Sequence, residues 1–146
     1  MPPLSRHLSL IMSKKHNYVI GGLLLLRYIS LTKRIDFDRV FKDGSSFVGH
    51  YMVINVVQTD GNSIRVGLIV NKKMGNAVRR NRIRRLLKEI FRRQAHVLPK
   101  GCDVVMLPRG SFKNESLKYQ DLSPEAESLF KKAAGAFTVL DKEVDL

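Results

Sequence analysis

Apolar residues recur with helical spacing in some stretches of the chain and form short β-branched runs in others. The stretch Thr32–Phe41 places Phe37, Val40 and Phe41 at i, i+3 and i+4, which predicts a short helix with one apolar stripe. Its first residue is a suitable N-cap, since a threonine hydroxyl can accept a first-turn N–H. Gly44 follows, and we expect it to end the helix with a positive φ.

Three short apolar runs predict strands. Two of them, His50–Gln58 and Ser63–Val70, are separated by the turn residues Thr59–Asn62, which predicts a hairpin. The third run, Cys102–Leu107, is followed by a proline. Strands this apolar need cover on at least one face, so we expect helices to pack against the sheet.

The longest helix is predicted from Gly75 to about His96. At 100° per residue its apolar side chains share one arc: Ile83, Leu86, Leu87, Ile90 and Phe91. The opposite side is basic. Because this helix joins two predicted strands, it indicates a crossover between parallel strands. A last helix is expected to open at Ser123–Glu125 and to end near Gly135. The predicted class is α+β, a small sheet with helices packed on it.

Length and composition suit one domain. The chain has 146 residues, of which 44% are apolar, so a substantial core is possible. We expect a poorly ordered N-terminal extension at residues 1–30, the domain at 31–138 and a C-terminal tail at 139–146. No apolar run approaches the ~20 residues that span a bilayer. The lone cysteine, Cys102, excludes an internal disulfide and suits a reducing compartment. We therefore expect a cytoplasmic location and no membrane partner.

The charge is unevenly distributed. There are 26 Lys+Arg and 13 Asp+Glu, a net charge of +13. The segment Lys72–Arg93 holds ten bases and one acid, whereas Glu115–Leu146 holds seven acids and four bases. Arginines crowd the first turns of the longest helix, where each cation costs about 0.3–1 kcal/mol against the helix dipole. A bound phosphate removes that cost, because the dipole and the guanidinium groups both attract it. The segment predicts a polyanion-binding surface rather than a merely solvated face.

This basic segment resembles the signature of the bacterial ribonuclease P protein component family. The family pattern is a lysine pair, then Gly-Asn-Ala-Val, then Arg-Asn-Arg, then a basic amphipathic helix. Lys72–Lys73, Gly75–Val78 and Arg80–Arg82 match it in order and spacing. The helix Asp36–Gly44 resembles the family's first helix. The resemblance runs from about residue 31 to residue 137 and leaves out residues 1–30.

The resemblance implies an αβββαβα sandwich with a small mixed sheet and an unusual left-handed βαβ crossover at the basic segment. General rules favour the opposite hand. It also implies a protein cofactor of ribonuclease P, the ribonucleoprotein endonuclease that removes the 5′ leader of precursor tRNA. The RNA subunit holds the Mg²⁺ ions and the chemistry, so no catalytic residue and no metal are expected on this chain. The expected partners are the catalytic RNA and precursor tRNA, with no obligate protein partner evident.

Carried over by position, ten residues are expected to bind the catalytic RNA: Lys72, Lys73, Asn76, Arg79, Arg80, Asn81, Arg82, Arg84, Arg85 and Lys88. The leader-binding cleft is expected to be lined by Phe37, Phe41, Tyr51 and Arg109. An aromatic ring there can stack on a base for about 1–3 kcal/mol. Spacing alone makes both phenylalanines core residues, so whether they contact RNA or only pack the core is left open. Val53 and Asn55 stand where family members often carry another aromatic residue.

Other functional classes are weaker alternatives. The histidines have no metal-ligand spacing, and Asp36 and Asp38 diverge on a helix, so we expect surface groups and no nuclease site on the protein. A ribosomal or other RNA-binding protein uses similar basic helices. A DNA-binding module places such a helix in the major groove. The phenylalanine helix beside the sheet favours binding of a single strand over reading of duplex DNA.

Overall fold

A five-stranded mixed sheet organises the chain in the computed structural model. The structure describes the backbone of residues 17–20, 23–26, 29–114 and 116–144, and the side chains of residues 29–114 and 116–137. The strands are β1 (Asn17–Ile20), β2 (Leu23–Leu26), β3 (Ile29–Ser30), β4 (Ser45–Val48), β5 (Met52–Gln58), β6 (Ile64–Leu68) and β7 (Cys102–Pro108). The helices are α1 (Arg34–Asp43), α2 (Ala77–Gln94) and α3 (Tyr119–Val144), with short 3₁₀ turns at Lys72–Met74, Ala95–Val97 and Gly110–Lys113.

The sheet order is β3-β6-β7-β5-β4, and β1 pairs only with β2. Strand β7 lies between β5 and β6, antiparallel to the first and parallel to the second. The predicted parallel crossover through α2 is therefore confirmed. The predicted hairpin at Thr59–Asn62 is wrong, because β7 occupies the position between its two arms. The turn packs on Gly101 instead, whose carbonyl accepts the Thr59 N–H at 2.6 Å.

The hand of the crossover follows from the hydrogen bonds of β6. The carbonyl of Val66 accepts from Leu31 N at 2.8 Å on one edge, and Ile69 N donates to Met106 O at 3.1 Å on the other. The side chain of Val66 points to the face that α2 covers, and that of Ile69 to the opposite face. For L-residues this places β7 to the left of β6 when the sheet is viewed from α2 with β6 running upward. The crossover is left-handed, as the family resemblance implied and against the general rule.

Helices cover the two faces unequally. The larger core lies between the sheet and α2 with α3, around Leu87, Phe91 and Phe130, all of which are fully buried. The smaller core lies on the other face, where α1 packs on β5 and β7 through Val40. The order α1, β4–β6, α2, β7, α3 is the αβββαβα sandwich. Among the described residues, one short helix covers the second face, and Phe41 and Val48 remain exposed there.

Several local expectations need correction. Gly44 ends α1 with an extended backbone (φ −86°), not a positive φ. Glycine is needed there for another reason, since a Cβ would lie 2.7 Å from the Val56 carbonyl oxygen. Lys33, not Thr32, is the N-cap residue of α1, and no side chain caps it. The apolar runs did not predict strand β4, which follows α1 and precedes β5 along the chain.

The last helix is longer than predicted at both ends. It begins at Tyr119 rather than Ser123, contains Pro124, and continues past Gly135 to Val144. The expected extension at residues 1–30 lies mostly outside the described residues. Within it, the backbone of β2 runs beside α2, and β3 pairs with β6. The sheet thus begins two residues before the expected domain boundary.

Candidate nucleic-acid interface

The segment between β6 and α2 is shaped by two asparagine caps and one glycine. The Asn71 side chain accepts from Lys73 N at 3.1 Å and starts the 3₁₀ turn. Gly75 then has φ +126°, which residues with a Cβ rarely adopt, and the chain turns sharply there. The Asn76 side chain accepts from Arg79 N at 3.0 Å and caps α2. These caps fix where the basic helix starts.

All ten predicted contact residues for the catalytic RNA lie on this turn and on α2 as far as Lys88. The apolar side chains Ile83 and Leu87 of the same helix are buried in the core. Six of the ten are exposed (Lys72, Lys73, Asn76, Arg79, Asn81 and Arg85), and four are half-buried (Arg80, Arg82, Arg84 and Lys88). The structure therefore gathers the predicted residues around the start of one helix.

Three arginines of this surface have no carboxylate partner among the described residues. Within residues 29–114 and 116–137, Arg80, Arg82 and Arg84 form no ion pair with a carboxylate. Arg82 donates to the Leu117 carbonyl at 2.6 Å, and Arg84 donates to the Asn81 side chain at 3.0 Å.

The Nε of Arg80 is buried and has no acceptor among the described residues. Glu89, the one acid of the segment, pairs with Arg93 at 2.6 Å, one turn further along the helix. Within residues 29–114 and 116–137, Arg80 is thus left without a carboxylate partner.

The first turn of α2 contains no acidic residue. Its N–H groups and the helix dipole therefore add to the positive field of the arginines instead of opposing it. An open concavity of about 480 Å³ lies at this helix start, lined by Asn76, Val78, Arg79 and Arg82. Val78 is 75% exposed. The concavity offers cations, an amide and one apolar contact, a combination suited to sugar-phosphate backbone.

The second predicted site is on the α1 face. Phe37 is half-buried and packs over Gly67, where an added Cβ would lie 2.5 Å from Cζ of the phenylalanine ring. Phe41, one turn later, is 47% exposed. Val48 is 59% exposed and lies opposite Val53 across the β4–β5 pair, on the same face. Phe37 is mainly a packing residue, whereas Phe41 and Val48 are exposed apolar side chains.

Tyr51 and Arg109 lie together, but Tyr51 lies apart from the phenylalanines. The Tyr51 ring packs on the α2–α3 side of the sheet and contacts the His50 ring edge-on at 4.7 Å. The Arg109 backbone N–H donates to the Tyr51 carbonyl at 2.7 Å, and its guanidinium donates to the Gly49 carbonyl at 2.7 Å. Arg109 is exposed at the end of β7. The structure thus divides the four predicted leader residues between α1 and the place where the β4–β5 loop meets the end of β7.

An ion triad that the sequence reasoning missed fastens α1 to the sheet. Arg65 makes two bonds to Asp103, at 2.7 and 2.6 Å, and approaches Asp36 at 3.4 Å. Asp103 is fully buried and Asp36 nearly so, which corrects the expectation that Asp36 is a surface group. The carboxylates raise the pKa of Arg65 further, chiefly through the Asp103 hydrogen bonds. The sequence signal for this ion pair is one charged residue in each of two otherwise apolar strands, Arg65 in β6 and Asp103 in β7.

Other candidate chemistry is weak on the described residues. No group of three or more His, Cys, Asp or Glu among them is arranged to hold a metal ion. None of their helices combines the length and the apolarity needed to cross a membrane. Cys102 is buried, as expected of a small hydrophobe, and burial raises the pKa of its thiol to about 12.

The fold and this surface define a class, the small α+β proteins with a basic crossover helix. A family model described as "Ribonuclease P" matches residues 25–134. The ribonuclease P protein component of Natranaerobius thermophilus is 38% identical over 105 residues, covering 72% of this chain and 90% of that protein. The corresponding protein of Clostridioides difficile is 38% identical over 103 residues, covering 70% and 89%.

Solved structures agree with the sequence comparison. The RNase P protein from Thermotoga maritima superposes with a TM-score of 0.64 at 34% identity, covering 70% of this chain and 96% of that chain. The Staphylococcus aureus RNase P protein superposes with a TM-score of 0.63 at 28% identity, covering 71% and 94%. The chain belongs to the ribonuclease P protein component family.

Proposed function

We propose that this chain is the protein cofactor of ribonuclease P, binding the catalytic RNA and the 5′ leader of precursor tRNA to promote leader removal. The observation that carries the proposal is the absence of carboxylate partners for Arg80, Arg82 and Arg84 within residues 29–114 and 116–137. Uncompensated arginines at a helix start are stabilised by phosphate, and their planar forks suit bidentate phosphate contacts.

The two surfaces have separate roles in this proposal. The basic crossover binds the folded catalytic RNA through its backbone. The exposed side chains of Phe41 and Val48 contact the single-stranded leader, whose unpaired bases can stack on the Phe41 ring. Arg109 supplies a charge for a leader phosphate. The chain itself performs no bond cleavage; the Mg²⁺ ions and the reacting groups belong to the RNA subunit, and the particle works in the cytoplasm.

Reconstitution tests the proposal directly. The chain is added to a bacterial ribonuclease P RNA at a low Mg²⁺ concentration, and release of the 5′ leader from precursor tRNA is measured. We expect the chain to accelerate release, because its cations replace part of the charge neutralisation that Mg²⁺ otherwise supplies. The double variant Arg80→Ala with Arg82→Ala should lose this effect.

A matched control removes two cations elsewhere. Lys131 and Lys132 lie on α3, and Lys131 is already paired with Glu127 at 2.8 Å. The double variant Lys131→Ala with Lys132→Ala should accelerate leader release as well as the unchanged chain does. Equal losses in both double variants would attribute the effect to net charge alone and contradict a specific RNA surface.

The leader site is tested by Phe41→Ala. We expect weaker binding of precursor tRNA by the holoenzyme and unchanged binding of mature tRNA, because the ring meets only the leader. Equal losses for both RNAs would make Phe41 a packing residue. A helix that reads duplex DNA, the alternative class, would instead show tight binding of the chain to duplex DNA and no effect of Phe41→Ala.

A further inference from the structure

One carboxylate of α3 makes contacts that neither surface explains. The Glu125 side chain accepts hydrogen bonds from three successive backbone N–H groups, those of His50, Tyr51 and Met52. The Tyr51 bonds to its two oxygens are 3.1 and 2.9 Å long. His50 and Tyr51 lie in the connection between β4 and β5, and Met52 is the first residue of β5. All three lie 73 to 75 positions from Glu125 in the sequence.

The same connection is held from its other side by Arg109 and Ser111. The Arg109 guanidinium donates to the Gly49 carbonyl at 2.7 Å, and the Ser111 hydroxyl donates to the His50 carbonyl at 2.5 Å. The Arg109 backbone N–H donates to the Tyr51 carbonyl at 2.7 Å. Donors and acceptors of one short loop are therefore used on opposite sides. Glu125 takes the N–H groups, and the segment after β7 supplies donors to the carbonyls.

Gly49 shows how closely the carboxylate is fitted. A Cβ at that position would lie 2.6 and 2.7 Å from the two carboxylate oxygens of Glu125. Such a separation is well inside van der Waals contact, so any larger residue must displace the carboxylate or the loop. The loop geometry and the position of Glu125 are thus linked.

The loop sets the direction of the Arg109 side chain. One guanidinium nitrogen is engaged by the Gly49 carbonyl, and the exposed remainder of the group borders a concavity of about 200 Å³ lined by His50, Arg109, Gly110 and Ser111. Since the nearby carbonyl groups already accept bonds, the concavity presents mainly donors. Its chemistry suits a phosphate group.

We propose that Glu125 is a positioning residue for leader binding: by holding the β4–β5 loop through three backbone N–H groups, it orients Arg109 toward a leader phosphate. The inference rests on the proposed function, since it assigns Glu125 a role at the leader site. Glu125 itself does not touch RNA. It acts through the loop and the Gly49 carbonyl.

The sign of the effect of Glu125→Gln distinguishes positioning from simple electrostatics. The substitution raises the net charge by one, so electrostatics alone predicts equal or tighter RNA binding. Positioning predicts weaker binding, because an amide NH₂ group cannot accept from the loop N–H groups. We expect the holoenzyme to bind precursor tRNA about fivefold more weakly, the scale of one exposed charge-assisted contact. Binding of mature tRNA should not change.

The matched control is Glu127→Gln on the same helix. Glu127 is exposed and pairs with Lys131, and that pairing lowers the pKa of its carboxyl. It should leave binding of precursor tRNA unchanged or slightly tighter. Gly49→Ala is the second variant, since it displaces the Glu125 carboxylate with no change in charge. It should weaken precursor binding as Glu125→Gln does.

A double-variant cycle completes the test. Arg109→Gln should weaken precursor binding and make the slope of log K against log[salt] less negative by about 0.7, the value for one contact to a single strand. Glu125→Gln added to Arg109→Gln should cost nothing more, because the oriented group is already gone. Thermal unfolding of each variant shows that it is folded at the assay temperature. Should either Glu125→Gln or Gly49→Ala be unfolded, the other variant carries the cycle.

The outcomes separate the two proposals. Precursor binding by Glu125→Gln that equals or exceeds that of Glu127→Gln, or losses that add to those of Arg109→Gln, would overturn the role of Glu125 alone. If the unchanged chain gives the catalytic RNA no preference for precursor over mature tRNA, the proposed function fails first and the role of Glu125 fails with it.

Discussion

Two sets of arginines on this chain have opposite surroundings. Arg65 lies between two carboxylates, one of them fully buried, and fastens α1 to the sheet. Arg80 and Arg82 on α2 have no carboxylate partner within residues 29–114 and 116–137, and the helix start adds to their field. The difference predicts that Arg65 stabilises the fold. It also predicts that Arg80 and Arg82 bind the phosphates of RNA.

The largest expected effect on folding is that of Asp103→Asn. It removes a buried charge from the triad and leaves Arg65 with only Asp36, so we expect a loss of about 3 kcal/mol in the free energy of unfolding. Urea unfolding measures it. Asp38→Asn is the control, because Asp38 is exposed and its pair with Arg34 is long, at 4.0 Å. This substitution should change the free energy of unfolding by less than about 0.5 kcal/mol. Similar losses in the two variants would remove the distinction between buried and surface pairs.

Gly67→Ala should have the next largest effect. Its Cβ would press on the Phe37 ring and move α1 away from the sheet, at a cost of about 1–3 kcal/mol. Because α1 carries Phe41, precursor tRNA binding should weaken with stability, whereas catalytic-RNA binding should not. Gly135→Ala, with nothing within 4 Å of the added Cβ, is the matched control. It should stabilise α3 by up to about 1 kcal/mol. Catalytic-RNA binding that fell in step with precursor binding would contradict the separation of the two surfaces.

The smallest of these effects on stability belongs to the basic segment. Asn76→Ala removes the N-cap of α2 and should cost about 1 kcal/mol, as measured by urea unfolding. Since the cap also fixes the start of the basic helix, affinity for the catalytic RNA should fall too. Asn62→Ala, in the exposed turn before β6, should change neither quantity. A stability loss without any change in RNA affinity would show that the helix start is not part of the RNA surface.

Much of the basic surface was predictable because its signals are local. The asparagine cap, the positive-φ glycine and the apolar arc of α2 all depend on neighbouring residues, and the predicted arc is confirmed. The α1 face depends on residues far apart in sequence. The Arg65–Asp103 pair and the Glu125 contacts join segments 38 and about 75 positions apart, which no periodicity reveals.

The two wrong predictions have different origins. Asn62 and its neighbours are typical hairpin residues, yet β7 inserts between β5 and β6, so tertiary packing outweighed a local signal. Pro124 follows a serine in a pattern typical of a helix start, but α3 already begins at Tyr119. There the Asp121 side chain accepts from Lys118 N at 2.9 Å, so an earlier local signal starts the helix.

The central claim is that Arg80 and Arg82 are left for RNA phosphate. It is tested most directly by the salt dependence of catalytic-RNA binding, comparing the unchanged chain with the Arg80→Ala, Arg82→Ala double variant. The account predicts a slope of log K against log[salt] that is less negative by about 1.4–1.8 in the double variant, at 0.7–0.9 per lost phosphate contact. The Lys131→Ala, Lys132→Ala control should keep the original slope. An unchanged slope in the arginine variant would contradict the account.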